Sequence, residues 1–135
     1  MLKDILSISG KPGLYKLISN ASNAIIVESL IDGKRFAAYS NSKIISLDDI
    51  SIYTEDDDMP LKDVIKRIAD KEEKKPMFSH KEDTPKILAY FEEVLPEYDR
   101  DRVYLSDLRK LIQWYNMLAE KDMLKESTEE KKENE

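Results

Sequence analysis

Between Leu14 and Thr54 the apolar residues alternate with polar ones or gather in short β-branched runs; beyond Pro60 they return every third or fourth position. A period of two marks an extended chain with one buried face, and a period near 3.6 marks a helix. The change falls between Asp58 and Pro60 and predicts an α+β chain in two parts. The first part reads as strands over Leu14 to Ser19, Asn23 to Ile31, Lys34 to Tyr39, Lys43 to Leu47 and Ile50 to Thr54. Gly10-Lys11-Pro12-Gly13 is a turn leading in, Asn20-Ala21-Ser22-Asn23 and Asn41-Ser42 are breaks, and Asp48-Asp49 is a tight step. Asp32-Gly33 is the dipeptide favoured in a two-residue type I′ hairpin. Five short antiparallel strands are too few for a sandwich. They predict a bent meander closing into a small SH3-like barrel, although an open sheet packed against helices fits the same periodicity.

Past the acidic run Glu55 to Asp58, Pro60 suits the first turn of a helix, where its missing N–H has no intrahelical partner. Leu61, Val64, Ile65, Ile68 and Ala69 then form one apolar stripe. Lys74-Lys75-Pro76-Met77-Phe78 reads as a linker. Thr84-Pro85 caps and opens a second helix, with Ile87, Leu88, Phe91, Val94 and Leu95 as its buried face and Pro96 as its stop. Ser106 is the expected cap of a third helix reaching residue 124, whose stripe is Leu108, Leu111, Ile112, Tyr115, Leu118 and Ala119. The last two helices should pack as a hairpin. The expected organisation is a barrel-like domain over 1–58, a helical region over 59–125 and a disordered charged tail over 126–135, where apolar residues are absent.

Composition narrows the function classes. The chain has no cysteine, which removes disulfides, thiolate ligands and thiol nucleophiles and fits a cytoplasmic, reducing location. Its first residues lack the apolar core of a signal peptide, and no apolar run approaches the roughly 20 residues that span a bilayer, so no membrane association is expected. A net charge of −6 opposes a phosphate backbone, so nucleic acid would need a local basic patch.

The candidate chemistry is thin. Ser9-Gly10-Lys11-Pro12-Gly13 lacks the spacing of a phosphate loop and precedes a strand instead of a helix. Glu55 to Asp58, with Asp48 and Asp49, offer oxygen ligands to a hard cation without any EF-hand spacing, and a solvated loop is the simpler use. His80 is the sole histidine, and its neighbour Ser79 cannot face it as a catalytic pair. Glu92 with Glu93, and Glu97 with Asp99 and Asp101, are carboxylate pairs of the kind any acidic chain offers. These residues predict no enzyme, no cofactor and no metal.

Two side-chain sets remain. Tyr90, Phe91, Tyr98, Tyr104, Trp114 and Tyr115 crowd aromatics into the second half, and Tyr104, Trp114 and Tyr115 are the candidate surface for a protein partner. Lys16, Lys34, Arg35 and Lys43, with Tyr15, Phe36 and Tyr39, have the composition that small barrels use on RNA or DNA, opposed by the nearby acids. The leading expectation is a non-enzymatic protein-binding or adaptor module; a nucleic-acid-binding accessory protein is the alternative.

The segments Met1-Leu2-Lys3-Asp4-Ile5-Leu6-Ser7-Ile8-Ser9-Gly10-Lys11-Pro12-Gly13-Leu14-Tyr15 and Ile45-Ser46-Leu47-Asp48-Asp49-Ile50-Ser51-Ile52-Tyr53 resemble a family of small Bacteroidetes proteins known as domains of unknown function. The likeness continues through Tyr98-Asp99-Arg100-Asp101-Arg102-Val103-Tyr104 and Ser106-Asp107-Leu108 to Trp114-Tyr115-Asn116, leaving out the tail. The resemblance implies a bacterial, cytoplasmic protein and carries over no active site, cofactor or substrate.

Overall fold

A computed structural model describes residues 4–11, 13–39, 43–121 and 123–124. The expected break at Asn41-Ser42, Pro12 of the first turn, and the tail 126–135 lie outside the described residues. The chain divides into two compact units that part between Ile50 and Ser51.

The first unit is a five-stranded antiparallel sheet. Its strands are β1 (Ile5–Ile8), β2 (Tyr15–Asn20), β3 (Ala24–Ser29), β4 (Arg35–Tyr39) and β5 (Ile44–Ser46), in the order β4-β3-β2-β1-β5. A 3-10 turn, Leu47–Asp49, follows and supplies the expected tight step. Alternation puts Leu6, Ile8, Tyr15, Val27 and Ala38 into one buried cluster, with Leu17, Ile25, Phe36 and Ile44 packed against it. Two details depart from the sequence reading. β1 was not expected as a strand, and it lies between β2 and β5 inside the sheet. The β3–β4 connection is also longer than a two-residue hairpin. Ser29 N–H donates to the Lys34 carbonyl at 2.9 Å and Gly33 N–H to the Ser29 carbonyl at 2.9 Å, leaving residues 30–33 as the loop. A type I′ turn needs positive φ at both central residues, and here Gly33 has it (74°) while Asp32 does not.

The sheet is curled. Joining Tyr39 to Ile44 takes five Cα steps, a reach of at most about 17 Å. In a flat sheet the two edge strands would lie about 19 Å apart across four strand spacings. Consistently, Ile44 shares a 290 Å³ hollow with Ala38 and Tyr39. Among the described residues β4 and β5 remain edges, so the sheet is open where a closed barrel was expected.

The second unit begins with a short hairpin, β6 (Ser51–Ile52) against β7 (Met59–Pro60), with the acidic run in its bend. Ile50 to Thr54 therefore does not supply the fifth strand of the large sheet. Three helices follow: α1 (Leu61–Glu72), α2 (Thr84–Val94) and α3 (Leu105–Glu120), each packed on the other two. The buried side chains of α1 are the five of the predicted stripe. α3 starts one residue before Ser106, because the Asp107 carboxylate accepts the Tyr104 N–H at 2.9 Å and caps the helix from inside. No described helix is long and apolar enough to cross a membrane.

Candidate functional site

The basic and aromatic residues expected to carry nucleic acid do not form one platform. Lys16, Glu28 and Arg35 are paired across β2, β3 and β4 and so share one face of the sheet, where the Glu28 carboxylate accepts the Arg35 Nε–H at 2.9 Å. Lys43 precedes β5, and Lys34, paired with Ser29, closes the loop that leads into β4. Tyr15 and Phe36 point the other way, their rings meeting edge to face at 5.5 Å beside the core cluster. This corrects the expectation of a basic and aromatic platform, since neighbours on a strand face opposite sides. Of the aromatics in that set, Tyr39 alone is exposed.

The acidic run does not converge. Among the described residues no group of three histidines or carboxylates is placed to hold a metal ion. Thr54 closes the bend with a hydrogen bond from its hydroxyl to the Asp57 carbonyl. Tyr53 and Glu55 pair with the chain after α2, through Asp99 N–H to the Tyr53 carbonyl at 2.9 Å and Glu55 N–H to the Glu97 carbonyl at 2.8 Å.

The three partner-surface candidates separate as well. Tyr115 is fully buried and donates its hydroxyl hydrogen to the Lys75 carbonyl at 2.7 Å; burial, before the nearby Glu72, pushes that phenol up to about 12. Trp114 is only 9% exposed, with the Lys110 ammonium 5.9 Å from its ring. A side chain committed to the core cannot anchor a partner, so both leave the proposed surface. Tyr104 is 65% exposed.

Around Tyr104 lies a cleft of about 390 Å³ lined by Leu88, Glu92, Tyr98, Arg100, Val103, Tyr104, Leu105 and Leu108. α2 forms one wall, with Leu88 and Glu92 one turn apart on the same side. The connection from Tyr98 to Leu105 and the first turn of α3 form the other. Tyr98, Val103 and Leu108 are buried and make an apolar floor, whereas Leu88 is 37% exposed at the rim. Sequence reasoning missed Leu88, assigning it to the core stripe of α2, and Arg100.

The ion pairs nearby are structural. Arg67 grips both oxygens of Glu97 at 2.9 and 3.0 Å, which holds that carboxyl below its usual range, and also donates to the Val94 carbonyl at 3.3 Å. Arg102 does the same for Asp99 through a 2.9 Å bond while its guanidinium covers the Tyr53 ring. Glu93 accepts from Lys71 at 2.6 Å. Tyr90 donates to Glu72 at 2.8 Å, and burial followed by that bond raises its ionisation far above that of a free phenol. Of the expected carboxylate pairs, Glu93, Glu97 and Asp99 are each taken by a separate cation, which leaves no two of them facing one another across a site. Further along, α3 holds residues 75–84 against itself. Arg109 donates to the His80 and Glu82 carbonyls at 2.6 and 2.9 Å, and Asn116 takes the Met77 N–H at 2.7 Å and donates to the Phe78 carbonyl at 3.1 Å. His80 enters this strap through its backbone.

Two family models match the chain. A domain of unknown function (DUF5606) covers residues 2–47 and a second (DUF6852) covers residues 50–118, so the matches meet where the compact units part. A solution NMR structure of a protein from Bacteroides vulgatus is 48% identical, with a TM-score of 0.73, and the match covers 91% of this chain and 89% of that one. No curated protein matches. The two model matches and the 48% identical relative place this chain in the Bacteroidetes family built from these two domains of unknown function.

Proposed function

We propose that the chain is a non-enzymatic protein-binding module and that it meets its partner through the cleft headed by Tyr104. The observation that carries this reading is the pair of exposed apolar side chains, Tyr104 and Leu88, flanking an apolar-floored cavity. A tyrosine brings a large, stiff, amphipathic surface with few rotatable bonds, which is why the residue recurs at the energetic centres of interfaces. The non-enzymatic half is supported by the sequence, whose single histidine, lack of cysteine and lack of a phosphate loop offer no catalytic constellation.

In the same reading the curled sheet is an SH3-like barrel left open between β4 and β5, supported by the short link between those edges. The absence of cysteine supports a cytoplasmic setting. A photo-crosslinking residue in place of Tyr104 in the full chain tests the contact directly. A defined protein adduct that disappears when Leu88→Asp is added is the expected result. Adducts no different from those formed by the same residue in place of exposed Lys66 would overturn the reading.

A further inference from the structure

We infer that the cleft selects a protein segment carrying one large apolar side chain between a basic and an acidic residue, an inference that rests on the binding role just proposed. Two charges line the cleft, one from each wall, and neither is neutralised by a described residue. Glu92 on α2 makes no ion pair, although its neighbour Glu93 is taken by Lys71. Arg100, on the connection, stands between Asp99, which Arg102 neutralises, and Asp101, and it forms an ion pair with neither. Its own guanidinium is fixed without a carboxylate. Nη1 donates to the Pro96 and Tyr98 carbonyls at 3.1 and 2.9 Å, and the group lies 4.3 Å over the Tyr98 ring.

That fixing matters. An arginine already held in one plane loses little freedom when a carboxylate arrives, and its remaining Nε and Nη2 hydrogens form the edge that accepts one side-on. Glu92, four residues after Leu88, offers an acceptor beside the apolar rim. A segment with an apolar anchor over Val103 and Leu108, a lysine or arginine toward Glu92 and an aspartate or glutamate toward Arg100 satisfies all three features. Opposite charges on the two walls also fix the direction in which the segment lies, because the reversed order sets like charges together.

The probe is a library of random linear heptapeptides displayed on phage and selected on the full chain, with amide NMR shifts locating each selected peptide. Enrichment of Leu, Phe or Trp between a basic and an acidic residue is expected, with binding weakened about tenfold by Glu92→Lys or Arg100→Glu. The double variant Glu92→Lys with Arg100→Glu should select the opposite charge order. All three positions, Leu88 included, are exposed, and an unchanged circular dichroism melt verifies the fold of each variant. Peptides that shift the cleft amides without a charge pattern, or keep their pattern in the double variant, overturn the inference and leave the binding role standing. No selected peptide, or peptides that bind elsewhere, overturn both. A concentration-dependent dimer abolished by Tyr104→Ala would give the cleft to a second copy and overturn it too.

Discussion

Tyr104 and Tyr115 are eleven positions apart and were equal candidates for a partner surface, yet opposite outcomes are expected on substitution. Tyr115→Phe removes the donor to the Lys75 carbonyl and should cost about 1 kcal/mol in urea unfolding. Tyr104→Ala should change stability by about 0.5 kcal/mol or less, since the helix cap beside it uses backbone N–H and the Asp107 carboxylate and not the phenol. The sequence could not separate the two. A helical stripe reveals which side faces a core, but Tyr115 also receives the strap of residues 75–84, whose position depends on contacts nearly forty residues distant. The strand residues were more legible than the nucleic-acid reading allowed. Tyr15 and Lys16, like Arg35 and Phe36, are adjacent, and alternation alone puts each pair on opposite faces.

Among the elements, the helices are legible because 3.6-residue periodicity over eleven or more residues is hard to imitate, and the α1 stripe matches in every member, whereas α3, expected to reach residue 124, ends at Glu120. Strands were read as strands but not as partners. β1 is a four-residue strand preceding the first recognised turn, and Ile50 to Thr54 alternates as well as its neighbours but pairs with Met59–Pro60. Pairing is decided by long-range contacts to which a period of two is blind. Two consequences at this scale can be measured. α1 ends with Glu73 and Lys74 both left-handed, φ 57° and 65°, their N–H groups converging on the Ala69 carbonyl. Exposed Glu73→Gly relieves the Cβ strain and should raise stability by about 1 kcal/mol in thermal unfolding. Asn116→Ala should instead release the strap. Hydrogen exchange at the Met77 amide is expected to quicken while the buried amides of α3 stay protected.

At the scale of the whole molecule, stability should fall away at both ends of the pH range for separate reasons. Glu97 and Asp99 are held below their usual values by Arg67 and Arg102, so their contribution is complete above the ordinary carboxylate range and fades as pH falls through the folded values. Tyr90 and Tyr115 are raised, so the folded state retains protons that the unfolded state loses, and their contribution fades as pH climbs beyond about 10. Melting temperature against pH should show both limbs, with Glu97→Gln flattening the acid one and Tyr90→Phe the alkaline one. A variant pair that leaves both slopes unchanged would assign them to other groups.

The strap has a bearing on how the chain is made. The pairing of β1 with β5 needs nothing after Ser46, whereas the Lys75 carbonyl waits forty residues for Tyr115 and the Met77 amide thirty-nine for Asn116. A ribosome adds about 5–20 residues per second, so the strap spends roughly 2–8 seconds outside the exit tunnel before its partners can follow it. During translation the strands can pair while the Met77 amide and the Phe78 carbonyl still wait for Asn116, so the strap is the last part of the helical unit to be secured.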